Sequence, residues 1–215
     1  MLKVKSFVFN PFQVNTYLLY NEAKECVIID AACYSEEEKN ELEDFITQNK
    51  LQPKVFINTH THIDHILGVN FILNRYNISL TLHKDGINFI NNAVEWAANF
   101  GLQTDPIINN FEIISDECYI YKIFNEEEIE LVHIPGHCVG SLGIISHSSK
   151  LLFTGDVLFK GSIGRTDLPS GDFETIKKSI KDKLYILSDD YVVYPGHGDL
   201  TTIGDEKRNN IFVRA

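Results

Sequence analysis

Apolar positions alternate through the opening of the chain. "LKVKSFVF" and "VNTYLLY", parted by Asn10-Pro11, and "CVIID", which closes on a turn at Asp30, each read as a strand. The period then changes. In "SEEEKNELEDFITQNKL" Leu42, Phe45, Ile46 and Leu51 recur at helical spacing, with Ser35 placed to cap the helix and glutamates in its first turn. "KVFIN" is a short strand of buried type. "DGINFINNAVEWAANFG" sets Ile87, Ile90, Val94 and Ala97 on one helical face and ends at Gly101, a C-terminal cap. Cys118 to Ile134 and Leu142 to Thr154 look like two strand pairs. "DFETIKKSIKDKLYIL" places Phe173, Ile176, Ile180, Leu184 and Leu187 on one stripe, "YVVYP" is a last strand, and "GDEKRNNIFVR" is a terminal helix. No repeat or Gly/Ser/Pro linker interrupts the series, so one domain over residues 1–215 is expected, with two sheets and helices outside them.

Polar chemistry gathers where strands end. Directly after "KVFIN", the stretch "THTHIDHILG" holds His60, His62, Asp64 and His65. "IPGHCVGS" brings His137, "LLFTGDVLF" Asp156 and "VVYPGHGD" His197, each beside a glycine that lets the backbone turn off a strand. Imidazole binds zinc and iron well, and a carboxylate can bridge two ions while supplying charge. His60 and His62 suit one ion, Asp64 and His65 a second alongside. A two-metal site of this kind lowers the pKa of a shared water from about 15.7 to near 7. His83, His133 and His147 lie in or beside structural elements and read as structural.

Composition narrows the partners. The chain has 215 residues, 44% hydrophobic and 23% charged, an ordinary globular balance. Its formal net charge of -11 disfavours nucleic acid, whose binding draws on Lys and Arg. No stretch reads as a signal peptide or a membrane span. The four cysteines form no CxxC pair, so free thiols and a cytoplasmic setting are expected. Oligomeric state is not legible in the string.

Taken in order, "THTHIDH", "PGH", "GD" and "PGHG" resemble the metallo-β-lactamase superfamily over essentially the whole chain. The resemblance implies an α/β, four-layer αββα sandwich, two mixed sheets packed face to face with helices outside and metals at one edge. It implies His60, His62 and His137 on a first ion, Asp64, His65 and His197 on a second, and Asp156 bridging. The ions would be divalent, zinc first, with iron or manganese as alternatives. "TGDVLFKGSIGRTDLPSGD" and "GDLTTIGDEKRNN" look most like short-form glyoxalase II-type thioester hydrolases. The penicillin-degrading branches fit less well, because they lack a bridging aspartate where Asp156 stands. Glyoxalase II proper continues into a separate C-terminal helical substrate domain, and this chain ends soon after His197. The family's "HTPGS" is here "HCVGS", so Cys138 stands beside His137, as a buried filler or a redox-sensitive neighbour.

The expected reaction is attack of a metal-bound hydroxide on a small-molecule thioester such as S-lactoylglutathione, with Asp64 orienting the nucleophile. The leaving thiolate, with a pKa of about 8.5, needs no dedicated general acid. Arg165 is expected either to meet the substrate's peptide portion or to pair with Asp167. Asp30 and Thr59 are expected to steady the ligand imidazoles. Two alternatives stand beside this reading. One is an iron-dependent persulfide dioxygenase, which the resemblance would assign a single iron on His60, His137 and Asp156; the other is a non-catalytic metal-binding or redox module.

Overall fold

The alternating start of the chain folds as a meander of β1 (Lys3–Phe9), β2 (Val14–Tyr20) and β3 (Glu25–Ile29), paired antiparallel. In this computed structural model, which describes residues 2–124 and 127–214, the chain divides into two compact units, Met1–Ile114 and Ser115–Ala215.

Past β3 the first unit turns parallel, because helices now carry the chain back between strands. In order come α1 (Glu36–Gln48), β4 (Gln52–Ile57), α2 (Ile63–Ile66), α3 (Val69–Tyr76), β5 (Leu80–His83), α4 (Ile87–Asn91), α5 (Ala93–Asn99) and β6 (Phe111–Ile114). The six strands lie side by side in chain order. Ser35 caps α1 as expected and forms a reciprocal capping box with Glu38. Leu42 and Ile46 of α1 bury against Phe7, Leu18 and Ile28, at roughly 1.5–3 kcal/mol each.

Two helices differ from the sequence expectation. The run from Ile87 breaks at Asn92, whose backbone (φ -108°, ψ 16°) leaves the helical region and whose Nδ2 donates to the Asn88 carbonyl at 2.7 Å. The restart rotates the face, so Ala93 and Ala97 are buried while Val94 is 46% exposed. The chain then leaves α5 through Gly101, as expected, with Gly101 N–H on the Ala98 carbonyl and Leu102 N–H on that of Ala97. α3 was not anticipated: its buried Val69, Ile72 and Leu73 follow the histidine cluster with no capping side chain to announce them.

The second unit contains the expected strand pairs, β7 (Cys118–Lys122) with β8 (Glu128–His133) and β9 (Leu142–Ser146) with β10 (Leu151–Gly155). A small hairpin, β11 (Leu158–Phe159) and β12 (Ser162–Ile163), precedes α6 (Phe173–Ser179). The unit ends with β13 (Val192–Pro195), β14 (Thr201–Thr202) and α7 (Ile203–Asn209). Its main sheet runs β14-β13-β10-β9-β8-β7, with β10 and β13 parallel. α6 passes into a π turn, Ile180–Leu184. Ile176, Ile180 and Leu184 are fully buried at steps of four, a spacing that drifts off one face of an α-helix and that the wider π turn brings back. Phe173, expected on the same stripe, is instead 41% exposed. Both sheets are mixed and both units bury helices against them, so the α/β, two-sheet class is borne out. Among the described residues no helix is long and apolar enough to cross a membrane.

Candidate metal centre

Each unit delivers donors by the same device, a pair of parallel strands that end together. In the first, Ile29 of β3 lies in register with Ile57 of β4, so Asp30 and the segment from Asn58 to His65 leave the sheet side by side. The ends of parallel strands are where such sheets place ligands. Asp30 is buried, with φ at 54°. Its carboxylate accepts from Thr59 N (2.7 Å), Thr59 Oγ1 (2.6 Å) and His65 Nδ1 (2.9 Å). Because the Thr59 hydroxyl gives its proton to Asp30, its oxygen accepts from His60 Nδ1 at 3.3 Å. One carboxylate therefore fixes two imidazoles with Nδ1 protonated and the lone pair on Nε2, the form a metal requires.

The donors gather closely. His60 and His62 bring donor atoms within 4.8 Å of each other, as do Asp64 and His65. His62 stands at the N-cap position of α2, and Asp64 and His65 lie on that helix. Asn58 Nδ2 donates to the carbonyls of His60 (3.1 Å) and His65 (2.9 Å), and Asn10 Nδ2 to that of Asp64 (2.8 Å). Neither asparagine was singled out from sequence; an Asn immediately after a buried strand and before a ligand cluster was the available signal.

In the second unit Gly155 of β10 pairs with Pro195 of β13, and Gly196 N–H donates to the Gly155 carbonyl at 2.8 Å. Asp156 and His197 thus emerge together, with His197 Nε2 3.3 Å from Asp156 Oδ2. His137, on the loop after β8, holds its Nε2 3.7 Å from the same oxygen. Its Nδ1 donates to the Arg165 carbonyl at 2.8 Å, which again leaves the lone pair on Nε2. Gly164 makes this approach possible: a Cβ there would stand 1.7 Å from the Asp156 carbonyl oxygen and 3.1 Å from His137 Cγ.

These sets fit a transition metal. Donors on one tetrahedral ion, at bonds of about 2.1 Å, stand ~3.4 Å apart. The separations of 3.3 and 3.7 Å about Asp156, and of 3.8 Å between His65 Nε2 and Asp64 Oδ2, have that size. Both donor types, imidazole nitrogen and carboxylate oxygen, suit zinc or iron.

The remaining expectations resolve residue by residue. The Arg165 guanidinium is paired bidentately with Asp167, both bonds 2.7 Å, in full solvent, and holds that carboxyl at about 2. It is Arg165's backbone that touches a donor. Cys138 is completely buried, and all four cysteines are free thiols. His133 donates from Nε2 to the Val139 carbonyl (2.6 Å) and faces Glu117 with Nδ1 (3.3 Å). His147 bridges Tyr191 and Glu130, and buried His83 accepts from Asp85 N.

Comparison with known proteins agrees with this construction. The Metallo-beta-lactamase superfamily profile matches residues 9–197, a span that includes every donor above. Hydroxyacylglutathione hydrolase GloC of Haemophilus influenzae is 37% identical over 207 residues, 95% of this chain and 94% of that protein. The crystal structure of BLEG-1 B3 metallo-beta-lactamase is similar with a TM-score of 0.87 and 31% identity, covering 99% of this chain and 100% of that one. The structure of TTHA1623 in a di-iron-bound form gives a TM-score of 0.85 at 28% identity, covering 97% and 100%. Donor chemistry, fold and full-length match converge, and the chain belongs to the metallo-beta-lactamase superfamily as a metal-dependent hydrolase.

Proposed function

We propose that the chain hydrolyses thioesters of the hydroxyacylglutathione type, with the two donor sets sharing a pair of divalent ions within a single catalytic domain. His60, His62 and His137 would hold one ion, Asp64, His65 and His197 the other, and Asp156 both. The observation that carries this is Asp156, whose Oδ2 faces the Nε2 atoms of two histidines from different loops, as a bridging carboxylate must. It favours the thioester hydrolases over branches without a carboxylate there, and the full-length similarity to GloC supports the substrate class. Zinc is the first choice of metal, with iron close behind given the di-iron form of TTHA1623. The free thiols support a cytoplasmic setting.

Bound ions would supply a water of lowered pKa and a Lewis acid toward the carbonyl oxygen. The chain's residues do the rest. Asp64, its carbonyl held by Asn10, accepts a proton from the attacking water and keeps a lone pair aimed at the thioester carbon. Asp30 and Thr59 hold the His60 and His65 rings through the cycle. Arg165 exchanges Asp167 for a substrate carboxylate, an exchange that its solvent exposure permits. The departing thiolate leaves unprotonated.

Elemental analysis of the purified protein, followed by loss of thioester absorbance with S-lactoylglutathione, tests the reading. Two ions per chain and turnover abolished in Asp64→Ala are expected. One iron per chain with dioxygen uptake on glutathione persulfide would overturn it in favour of a dioxygenase, and no turnover of any substrate in favour of a binding module. A second reading, β-lactam hydrolysis, is favoured by the likeness to BLEG-1 and would prevail if a cephalosporin were turned over in preference to every thioester.

A further inference from the structure

We propose that the substrate carries an apolar ring or chain next to its scissile carbonyl, lying against an aromatic wall of Phe12, Phe89, Trp96 and Phe100. This rests on the thioester reading above and narrows it.

The wall starts at the donor cluster. The His62 ring meets Phe89 edge-on, with centroids 5.2 Å apart, and Phe89 lies 5.9 Å from Trp96. Trp96 lies on α5, and Phe100, four residues on, is the C-cap residue that ends that helix. Phe100 in turn meets Phe12 edge-on at 5.5 Å. Phe12 leads back to the cluster by another route: its N–H donates to Asn10 Oδ1 at 2.9 Å, and Asn10 Nδ2 holds the Asp64 carbonyl. The series is therefore anchored at both ends to expected ligands, His62 and Asp64.

Phe12 and Trp96 pack one side against the core of the first unit, and exposure rises along the series. Phe89 is 7% exposed, whereas Trp96 and Phe12 are half-buried and Phe100 is 50% exposed. The aromatic surface thus opens from the ligand residues outward to solvent, where exposed rings carry a cost unless something covers them. Ligand sites combine such apolar walls with a few fixed polar groups. Here those polar groups are the metal donors, and the group to be covered is the part of the substrate flanking the carbonyl.

Trp96 is the only tryptophan in the chain, so its emission reports on the wall directly. The probes are two thioethers that cannot be hydrolysed, S-benzylglutathione and S-methylglutathione, titrated into the metal-loaded protein. S-benzylglutathione should change Trp96 emission and bind about tenfold more tightly than S-methylglutathione. Phe100→Ala should abolish that difference and Phe100→Leu retain most of it; an exposed ring can be truncated without threatening the fold. Equal affinities, or a benzyl preference untouched by Phe100→Ala, would overturn the proposal. In a turnover arm, phenylacetyl against acetyl thioesters of glutathione, and acetyl thioesters of benzyl mercaptan against glutathione, show whether the acyl or the thiol side meets the wall. Binding is read without hydrolysis. Tight benzyl binding with no thioester turnover would count against the proposed function and leave the wall standing, and turnover without benzyl preference would do the reverse.

Discussion

Replacing Asp30 by Asn tests whether a single buried carboxylate sets the ligand geometry of the first unit. Asp30 accepts three hydrogen bonds, at 2.7, 2.6 and 2.9 Å, and is 1% exposed. Ala would leave three buried donors unsatisfied at roughly 1–3 kcal/mol each, enough to threaten folding outright. Asn is nearly isosteric and tolerates the left-handed backbone (φ 54°). Its oxygen can still accept from Thr59, but its amide then faces His65 Nδ1–H, donor against donor. The clash is relieved if His65 moves its proton to Nε2, the atom needed for the ion. Losing such an orienting partner weakens metal binding by 10- to 100-fold, or about 1.4–2.8 kcal/mol. The assay is competition for zinc against a chromophoric chelator, with melting in EDTA to report the metal-free fold. Asp30→Asn should keep a cooperative melt and lose affinity for one ion in that range. Unchanged affinity for both ions would refute the tautomer argument.

Gly164→Ala should abolish metal retention, measured by elemental analysis, because its Cβ would stand 1.7 Å from the Asp156 carbonyl oxygen and force apart the loops carrying Asp156 and His137. A thiol reagent should modify one cysteine per native chain, Cys118, and slowly at pH 8. The hydrogen bond that Cys118 makes to Glu130 pushes its thiol to about 11, so Glu130→Gln should speed labelling several-fold, whereas burial pushes Cys26 and Cys33 to about 12. Lys183, and after it His133, hold Glu117 at about 2. A depressed carboxyl stabilises above its ordinary value of 4.5 and stops doing so as pH falls through about 2. Melting of Glu117→Gln should therefore lie slightly below that of the parent chain at pH 5, by less than about 1 kcal/mol for so exposed a pair, and converge with it near pH 2.

Much of the site was legible before the fold because metal donors are few in kind and were placed where strands run out. His60, His62, Asp64 and His65 fall within six positions, and Asp156 and His197 each follow a glycine after an apolar run. Their supports were less visible. Asn10 and Asn58 act through amide groups on distant carbonyls, Arg165 acts through a backbone oxygen that every residue possesses, and the value of Gly164 lies in an atom it lacks. Such roles have no residue-type signature.

The same division holds for the fold. Local order in the chain determined the strands that alternate, the capped helix α1 and the buried stripe through Ile176, Ile180 and Leu184, because period and capping are properties of neighbouring residues. Tertiary structure alone decided that β3 ends level with β4, and β10 with β13, and so which residues meet beyond those ends. Register between distant strands depends on packing that no short stretch encodes, and here that register brings Asp30 to His65 and Asp156 to His197.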